Sequence, residues 1–252
     1  MMFENTIFKC NREGRKALSV RLASAEPFWI ELAALSGFDC VSLDGEHGAY
    51  SPVEVDRIVS VAHAHGLTVK ARVPNHSADE INRWLDRGLQ GIMAPHIETG
   101  EQAQALANAC YFGPLGHRSW GGGRGTEFND DGLLEAGYGD RRGFAEFANE
   151  NMLVLVQVES KTGYENLNDI LAVEGLDGIA YGAFDLAYSL GLPGAGADHP
   201  EVARVHADIE ARTRDAGKRM SWDYFVETDQ AEMLLSAGRE FVRVNRDTAF
   251  PD

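Results

Sequence analysis

Glu159 and Asp185 each follow a short apolar run, Met152–Val158 and Gly178–Tyr181. If those runs are neighbouring strands, the two carboxylates can meet at one cation. Carboxylate-only ligation suits a hard ion such as Mg²⁺ or Mn²⁺, with water and substrate oxygens completing the shell. The same two residues could instead cap helix N-termini, where acids are favoured. A second cluster is Asp44-Gly45-Glu46-His47. A histidine held near a carboxylate has its tautomer fixed and its basicity raised, which suits a general base. It could equally be a rim histidine on a polar loop. Arg72 ends the run Thr68–Val73 with its stem buried and its head toward solvent. Such an arginine needs an anionic partner, either an organic acid or a structural carboxylate. Arg21 ends a further run and suggests a negatively charged partner. Gln157 and Phe184 also fall at the ends of runs.

These residues share one property: each follows a candidate strand. The expected strands are Leu18–Leu22, Cys40–Leu43, Thr68–Val73, Gly91–Ala94, Met152–Val158, Gly178–Tyr181, Arg219–Trp222 and Phe241–Val244. Helical patterns lie between most of them: Pro27–Leu35, Pro52–His65, Ala78–Arg87, Gly100–Ala109, Tyr164–Leu171, Glu201–Ala216 and Thr228–Ala237. Gly37, Gly66, Gly88, Gly217 and Gly238 stand where a left-handed cap would stop a helix. Strict alternation predicts a parallel sheet covered by helices. Eight repeats in a chain of this length predict a closed (β/α)₈ TIM barrel, an α/β fold, in a single domain spanning residues 1–252. Barrel chemistry gathers at the C-terminal ends of the strands, where the polar residues converge. The long connection Pro95–Asn151 reads as a functional insertion. Its run Gly121-Gly122-Gly123-Arg124-Gly125 lacks the ending of a phosphate loop and reads as a mobile flap. His63 and His65 read as surface residues.

Composition narrows the partners. The 252 residues carry 23 Lys plus Arg against 39 Asp plus Glu, a net charge of −16. That field repels phosphodiester backbones, so no nucleic-acid partner is expected. The longest apolar run is far below the roughly 20 residues a membrane helix needs, so no membrane partner is expected either. Cys10, Cys40 and Cys110 lie too far apart for a zinc knuckle or redox pair and read as buried thiols in a reducing cytoplasm. No signal peptide is seen at the start.

Three stretches, FDCVSLDGEHGAY (38–50), LVQVESKT (155–162) and VEGLDGIAYGAFDL (173–186) with the following SLGLP (189–193), resemble the HpcH/HpaI family of class II pyruvate-dependent aldolases. They occur in order, and the resemblance runs from about Gly14 to Asp247. It implies a divalent-metal aldolase that cleaves a 4-hydroxy-2-oxo acid, reversibly, to pyruvate or hydroxypyruvate plus an aldehyde. By position, Glu159 and Asp185 match the metal ligands for Mg²⁺ or Mn²⁺, with Co²⁺ as a further candidate. His47 matches the base, Arg72 the residue that stabilises the developing oxyanion, and Gln157 and the backbone around Phe184 the contacts to the 2-oxo acid. Asp86, fourteen residues beyond Arg72, matches the acid that raises the basicity of His47; its own surroundings in sequence read only as a helix surface. The resemblance also implies a homo-oligomer, a trimer or hexamer.

Several positions depart from the family pattern. Arg21 stands where an aromatic is usual, Phe184 where a small residue is usual, and His96 where an apolar residue is usual. The segment GHRSWGGGRG (116–125) replaces a run of small residues. These changes alter pocket shape and polarity and leave the metal ligands and the base intact. Two other readings compete. A barrel lyase acting on a hydroxyacyl-CoA ester needs a basic site for the adenosine phosphates, which this acidic chain lacks. A non-catalytic binding barrel predicts a lost ligand or base, yet every expected polar residue is present.

Overall fold

The computed structural model describes residues 1–246. Eight parallel strands form one curled sheet: β1 (Ala17–Arg21), β2 (Cys40–Asp44), β3 (Thr68–Arg72), β4 (Gly91–Ala94), β5 (Leu153–Val158), β6 (Gly178–Tyr181), β7 (Arg219–Met220) and β8 (Phe225–Asp229). Their order is β7-β6-β5-β4-β3-β2-β1-β8. Among the described residues β7 and β8 do not pair, so the sheet curls without a hydrogen-bonded seam. The curl is strong enough for β3 to meet β8 across the concave side. Lys70 forms an ion pair with Glu227, and its ammonium lies 3.8 Å from the centre of the Phe225 ring. That takes up the lysine: Lys70 is buried and committed to Glu227.

Helices pack outside because their start signals are strong and their inward faces apolar. Pro52–Ala64 begins with a reciprocal capping box between Ser51 and Glu54 and has Pro52 in its first turn. It buries Val55, Ile58, Val59 and Ala62, at the spacing of one helical face. All six residues of β5 are buried, as expected of a strand covered on both sides. Gly37, Gly66, Gly88 and Gly217 take the positive φ expected of helix caps.

The C-terminal part differs from the sequence expectation. The eighth strand is Phe225–Asp229, and Phe241–Val244 lies inside a helix, Gln230–Asn245. Both segments have strand-like composition, so local preference does not separate them. What separates them is the stretch between, AEMLLSAGRE (231–240), which is rich in helix formers. Asp229 caps it through the amides of Ala231 and Glu232, and the helix runs through Gly238. Strand β8 then pairs with β1 over five residues, from Ala17 opposite Phe225 to Arg21 opposite Asp229. The rim end of β8 is therefore Asp229, and not the residues that follow Phe241–Val244. Trp222 belongs to a helical turn, Ser221–Tyr224, that follows a two-residue β7.

The Pro95–Asn151 connection holds three α-helices, Gly100–Cys110, Asp131–Tyr138 and Arg141–Glu150, and a 3₁₀ segment, Arg124–Asn129. Its aromatic residues build a small separate core of Phe112, Leu134, Phe144 and Ala148 with Met2, with Trp120 and Tyr138 packed on it. The Gly-rich run packs against the end of the helix Ala78–Leu85, where the Gly125 amide donates to the Asp86 carbonyl at 2.9 Å. All three cysteines are buried and free. His65 is exposed as expected, but His63 is half-buried, its ring 5.1 Å from that of Phe3.

Candidate active site

The ends of β2, β3, β4 and β5 bring five side chains into one unbroken series of contacts. Asp44 and Arg72 are register partners in β2 and β3. Arg72 Nε donates to Asp44 Oδ1 at 3.0 Å and Nη2 to Oδ2 at 2.5 Å. Arg72 Nη1 also lies 2.9 Å from Glu46 Oε2. The other oxygen of Glu46 is 2.8 Å from His96 Nε2, and His96 Nδ1 is 3.1 Å from Glu159 Oε1. Asp44, Arg72 and Glu159 were expected at strand ends. Glu46 and His96 were not assigned a part, although the DGEH loop and the strand-end position of His96 were visible in sequence.

The charges are mutually arranged. Burial by itself would raise the Asp44 carboxyl, but hydrogen bonds from Arg72 and from the backbone amides of His47 and Glu46 outweigh it and hold Asp44 below the usual carboxylate range. Burial works the other way at Glu159. Its carboxyl is pushed up, chiefly because the side chain is buried, and the charge of Asp185 adds to the effect. The Glu159 oxygens are not idle: Oε1 accepts from the His96 backbone amide at 3.0 Å and Oε2 from the side-chain carboxamide Nε2 of Gln157. Gly182 makes room for this group, since a Cβ there would stand 2.4 Å from Glu159 Oε2.

The other expected residues fall as follows. Asp185 is exposed in the first turn of the helix Ala183–Ser189, close enough for its charge to act on Glu159. Phe184 precedes it and is largely exposed. His47 is exposed, with its amide 3.2 Å from Asp44 Oδ1 and its Nε2 3.9 Å from Glu46 Oε2. Asp86 makes no hydrogen bond or ion pair with His47 among the described residues. It caps the helix Ala78–Leu85, and its Oδ1 is buried without a hydrogen-bond partner. Arg21 is already neutralised, with its Nε 2.9 Å from Asp229 Oδ2. An open cleft of about 630 Å³ runs between the ends of β1, β2, β3 and β8, lined among others by Arg21, Glu26, His47, Glu54, Arg72 and Asp229.

The donor set fits a hard cation in part. Glu159 and Asp185 are two neighbouring carboxylates whose mutual repulsion a cation would relieve. Among the described residues no three histidine, cysteine or acidic side chains already converge at ligand distance, so water and substrate oxygens would fill the remaining positions.

The model of the HpcH/HpaI aldolase/citrate lyase family matches residues 19–250. The chain belongs to that family. It is 35% identical over 237 residues to a 2-keto-3-deoxy-L-rhamnonate aldolase of Salmonella gallinarum, covering 94% of this chain and 85% of the relative. A protein of the same name from Escherichia coli K12 is 33% identical over the same coverage. A solved HpcH/HpaI aldolase/citrate lyase family protein from Burkholderia cenocepacia superposes with a TM-score of 0.80 at 27% identity, covering 96% of this chain and 100% of that one. The HpcH/HpaI aldolase of Desulfitobacterium hafniense, at 23% identity, has the same fold with a TM-score of 0.82 over 99% of this chain and 98% of that one. The expected reaction class therefore stands: the chain is a carbon–carbon lyase of the aldolase kind.

Proposed function

We propose that the protein is a divalent-metal-dependent aldolase that reversibly cleaves a 4-hydroxy-2-oxo acid into pyruvate or hydroxypyruvate and an aldehyde. The observation that carries this reading is the unbroken contact series Asp44–Arg72–Glu46–His96–Glu159 at one end of the sheet. Glu159 and Asp185 would hold Mg²⁺, Mn²⁺ or Co²⁺. When bound, the ion supplies Lewis-acid stabilisation of negative charge on the keto oxygen.

The chain's own residues do the rest. Gln157, hydrogen-bonded to Glu159, and the backbone around Phe184 position the 2-oxo acid. His47 takes the proton from the C4 hydroxyl as the C3–C4 bond breaks, and the electron pair of that bond passes into the enolate. The aldehyde leaves, and a proton delivered to C3 yields the 2-oxo acid. Arg72, fixed by Asp44 and Glu46, presents a guanidinium that needs no reorganisation to stabilise the oxyanion. Asp86 is assigned the supporting acid's part. That part rests on the family resemblance; its Oδ1 is buried against Gly121 and has no hydrogen-bond partner among the described residues.

The aldehyde we assign is uncharged. The cleft beside His47 carries Glu26, Glu54 and Asp229, and its arginines Arg21 and Arg72 already have carboxylate partners. An acidic aldehyde would enter a surplus of negative charge. The named relatives act on a sugar acid, which agrees with a donor half that bears the carboxylate and a leaving half that does not.

We further assign a single-domain, closed (β/α)₈ barrel. The chain continuity of β7 and β8 through one helical turn supports it, as does the contact of β3 with β8. A homo-oligomer, trimer or hexamer, is supported by the helix Gln230–Asn245, which leaves Leu234, Leu235, Phe241 and Val244 exposed. A cytoplasmic location agrees with three buried free thiols. Among the described residues no helix is long and apolar enough to cross a membrane.

The test follows the methyl protons of pyruvate by NMR in D₂O with Mg²⁺, then with EDTA, and repeats it with hydroxypyruvate. Metal-dependent exchange that stops on chelation is expected. Exchange that persists in EDTA would remove the metal from the mechanism, and no exchange with either acid would remove both donors.

A further inference from the structure

The glycine run of the Pro95–Asn151 connection reads in sequence as a mobile flap, yet the structure ties it to one residue. The helix Ala78–Leu85 ends at Asp86. The last carbonyls of a helix need partners from outside it, and the connection supplies them here. Arg118 Nη2 donates to the Leu85 carbonyl at 3.1 Å, and the Gly125 amide donates to the Asp86 carbonyl at 2.9 Å. The same Arg118 nitrogen reaches the Gly125 carbonyl at 3.1 Å, so helix end and loop are fastened together. A cation at a helix C-terminus is also favoured by the helix dipole.

Close approach explains the glycines. A Cβ on Gly121 would strike the Asp86 carboxylate, one on Gly123 the Asp86 carbonyl, and one on Gly125 the Leu85 carbonyl. The run is a cradle around Asp86, and Arg118 is the charge inside it. The Arg118 side chain is buried, with its guanidinium 4.5 Å from the centre of the Phe112 ring. Its Nε and Nη1 have no hydrogen-bond partner among the described residues. A buried cation without a bonded carboxylate is costly to keep. The carboxylate whose charge acts on it is Asp86. Burial pushes the Asp86 carboxyl up, and the Arg118 charge pulls it back down.

We infer that Arg118 is a positioning residue for the reaction: it fixes the place of the Asp86 carboxylate through the end of the helix Ala78–Leu85 and the glycine cradle. This rests on the part assigned to Asp86 in the proposed function. It adds a residue that touches no substrate and acts only through Asp86.

The experiment measures Mg²⁺-dependent addition of pyruvate or hydroxypyruvate to glycolaldehyde, followed by NMR long enough to read slow turnover. It compares wild type, Arg118→Met, Gly121→Ala, Asp86→Asn, and each of the first two substitutions combined with Asp86→Asn. Methionine keeps an unbranched apolar stem against Phe112 and removes the donors. Gly121→Ala leaves Arg118 intact and displaces the carboxylate alone, so it decides the matter if melting curves show Arg118→Met unfolded. Each single substitution should lower kcat by about 10- to 100-fold, the effect of a small misplacement, with KM for the 2-oxo acid unchanged. Added to Asp86→Asn, neither should lower kcat further, because residues that act through one another are not additive. Folded single variants with wild-type kcat, a change confined to KM, or losses that multiply with that of Asp86→Asn overturn the inference and leave the part of Asp86 standing. Asp86→Asn as active as wild type overturns that part and the inference with it. Wild type without turnover removes the proposed function on which both rest.

Discussion

Arg72 holds Asp44 with two roughly parallel hydrogen bonds between register partners on adjacent strands, 3.0 Å from Nε and 2.5 Å from Nη2. A planar fork on a carboxylate fixes the direction of the third nitrogen, Nη1, which reaches Glu46. Lysine would keep the charge and lose the fork. Arg72→Lys should therefore lower kcat by about 100-fold, the size of one lost oxyanion donor, with little change in thermal stability. Steady-state kinetics beside a melting curve checks this; unchanged kcat would remove Arg72 from the chemistry.

Glu159 is buried, and its carboxyl is already pushed up by that burial. Glu159→Gln keeps the shape and can still accept the His96 amide, but it brings no charge to an ion. Chelation of wild type and this substitution should each abolish detectable turnover, and excess Mg²⁺ should rescue only the chelated wild type. Substantial activity of Glu159→Gln at ordinary metal concentrations would relocate the ion.

Arg21 illustrates a residue whose type is legible while its state is not. Its position suggested an anionic substrate, yet its Nε lies 2.9 Å from Asp229. Asp229→Asn keeps a good helix N-cap and frees the guanidinium. The ratio of kcat/KM for an acidic over a neutral aldehyde should rise about fivefold, matching ~1 kcal/mol at the upper end for a half-exposed pair. A screen of glyoxylate against glycolaldehyde measures it; a wild type that already prefers the acid would refute the neutral-acceptor assignment.

The reason Arg21 misled is general to this chain. Strand ends can be read from short apolar runs, so Asp44, Arg72 and Glu159 are locatable in sequence. Which carboxylate meets which cation is decided across strands that lie far apart in the chain. Glu46 and His96 are fifty residues apart and meet only because β2 and β4 end on the same rim. Asp86 has no local signal, being the end of an amphipathic helix, and only the resemblance singled it out. The position of the eighth strand is not legible locally, because FVETD (225–229) and FVRV (241–244) have the same local preference; pairing with β1 chooses between them.

His63 gives a pH dependence with a definite sign. Burial, chiefly, with Arg124 and the amino terminus nearby, depresses its pKa from 6.5 to about 4. The folded state therefore resists protonation that the unfolded state accepts, so the stability present above pH 6.5 is lost as pH falls toward 4. The loss is about 3 kcal/mol at most. Asp177, raised by burial to about 6, changes stability in the opposite sense over part of the same range. The comparison must therefore be between wild type and His63→Leu, by urea unfolding at pH 7 and pH 4.5. The variant should lose less stability than wild type; an identical loss would mean that His63 is solvated.

Gly238 tests the C-terminal architecture. Within the helix Gln230–Asn245 its added Cβ would meet nothing within 4 Å. Gly238→Ala should then stabilise by about 0.5–1 kcal/mol, since alanine loses less backbone entropy in a helix. The opposite is expected at Gly66, a helix cap with φ +72, where alanine is strained and should destabilise by a similar amount. If Gly238 were instead a left-handed stop before a strand at Phe241–Val244, both substitutions would destabilise. The pair of melting curves therefore decides between a continuous helix and a helix that ends at residue 237.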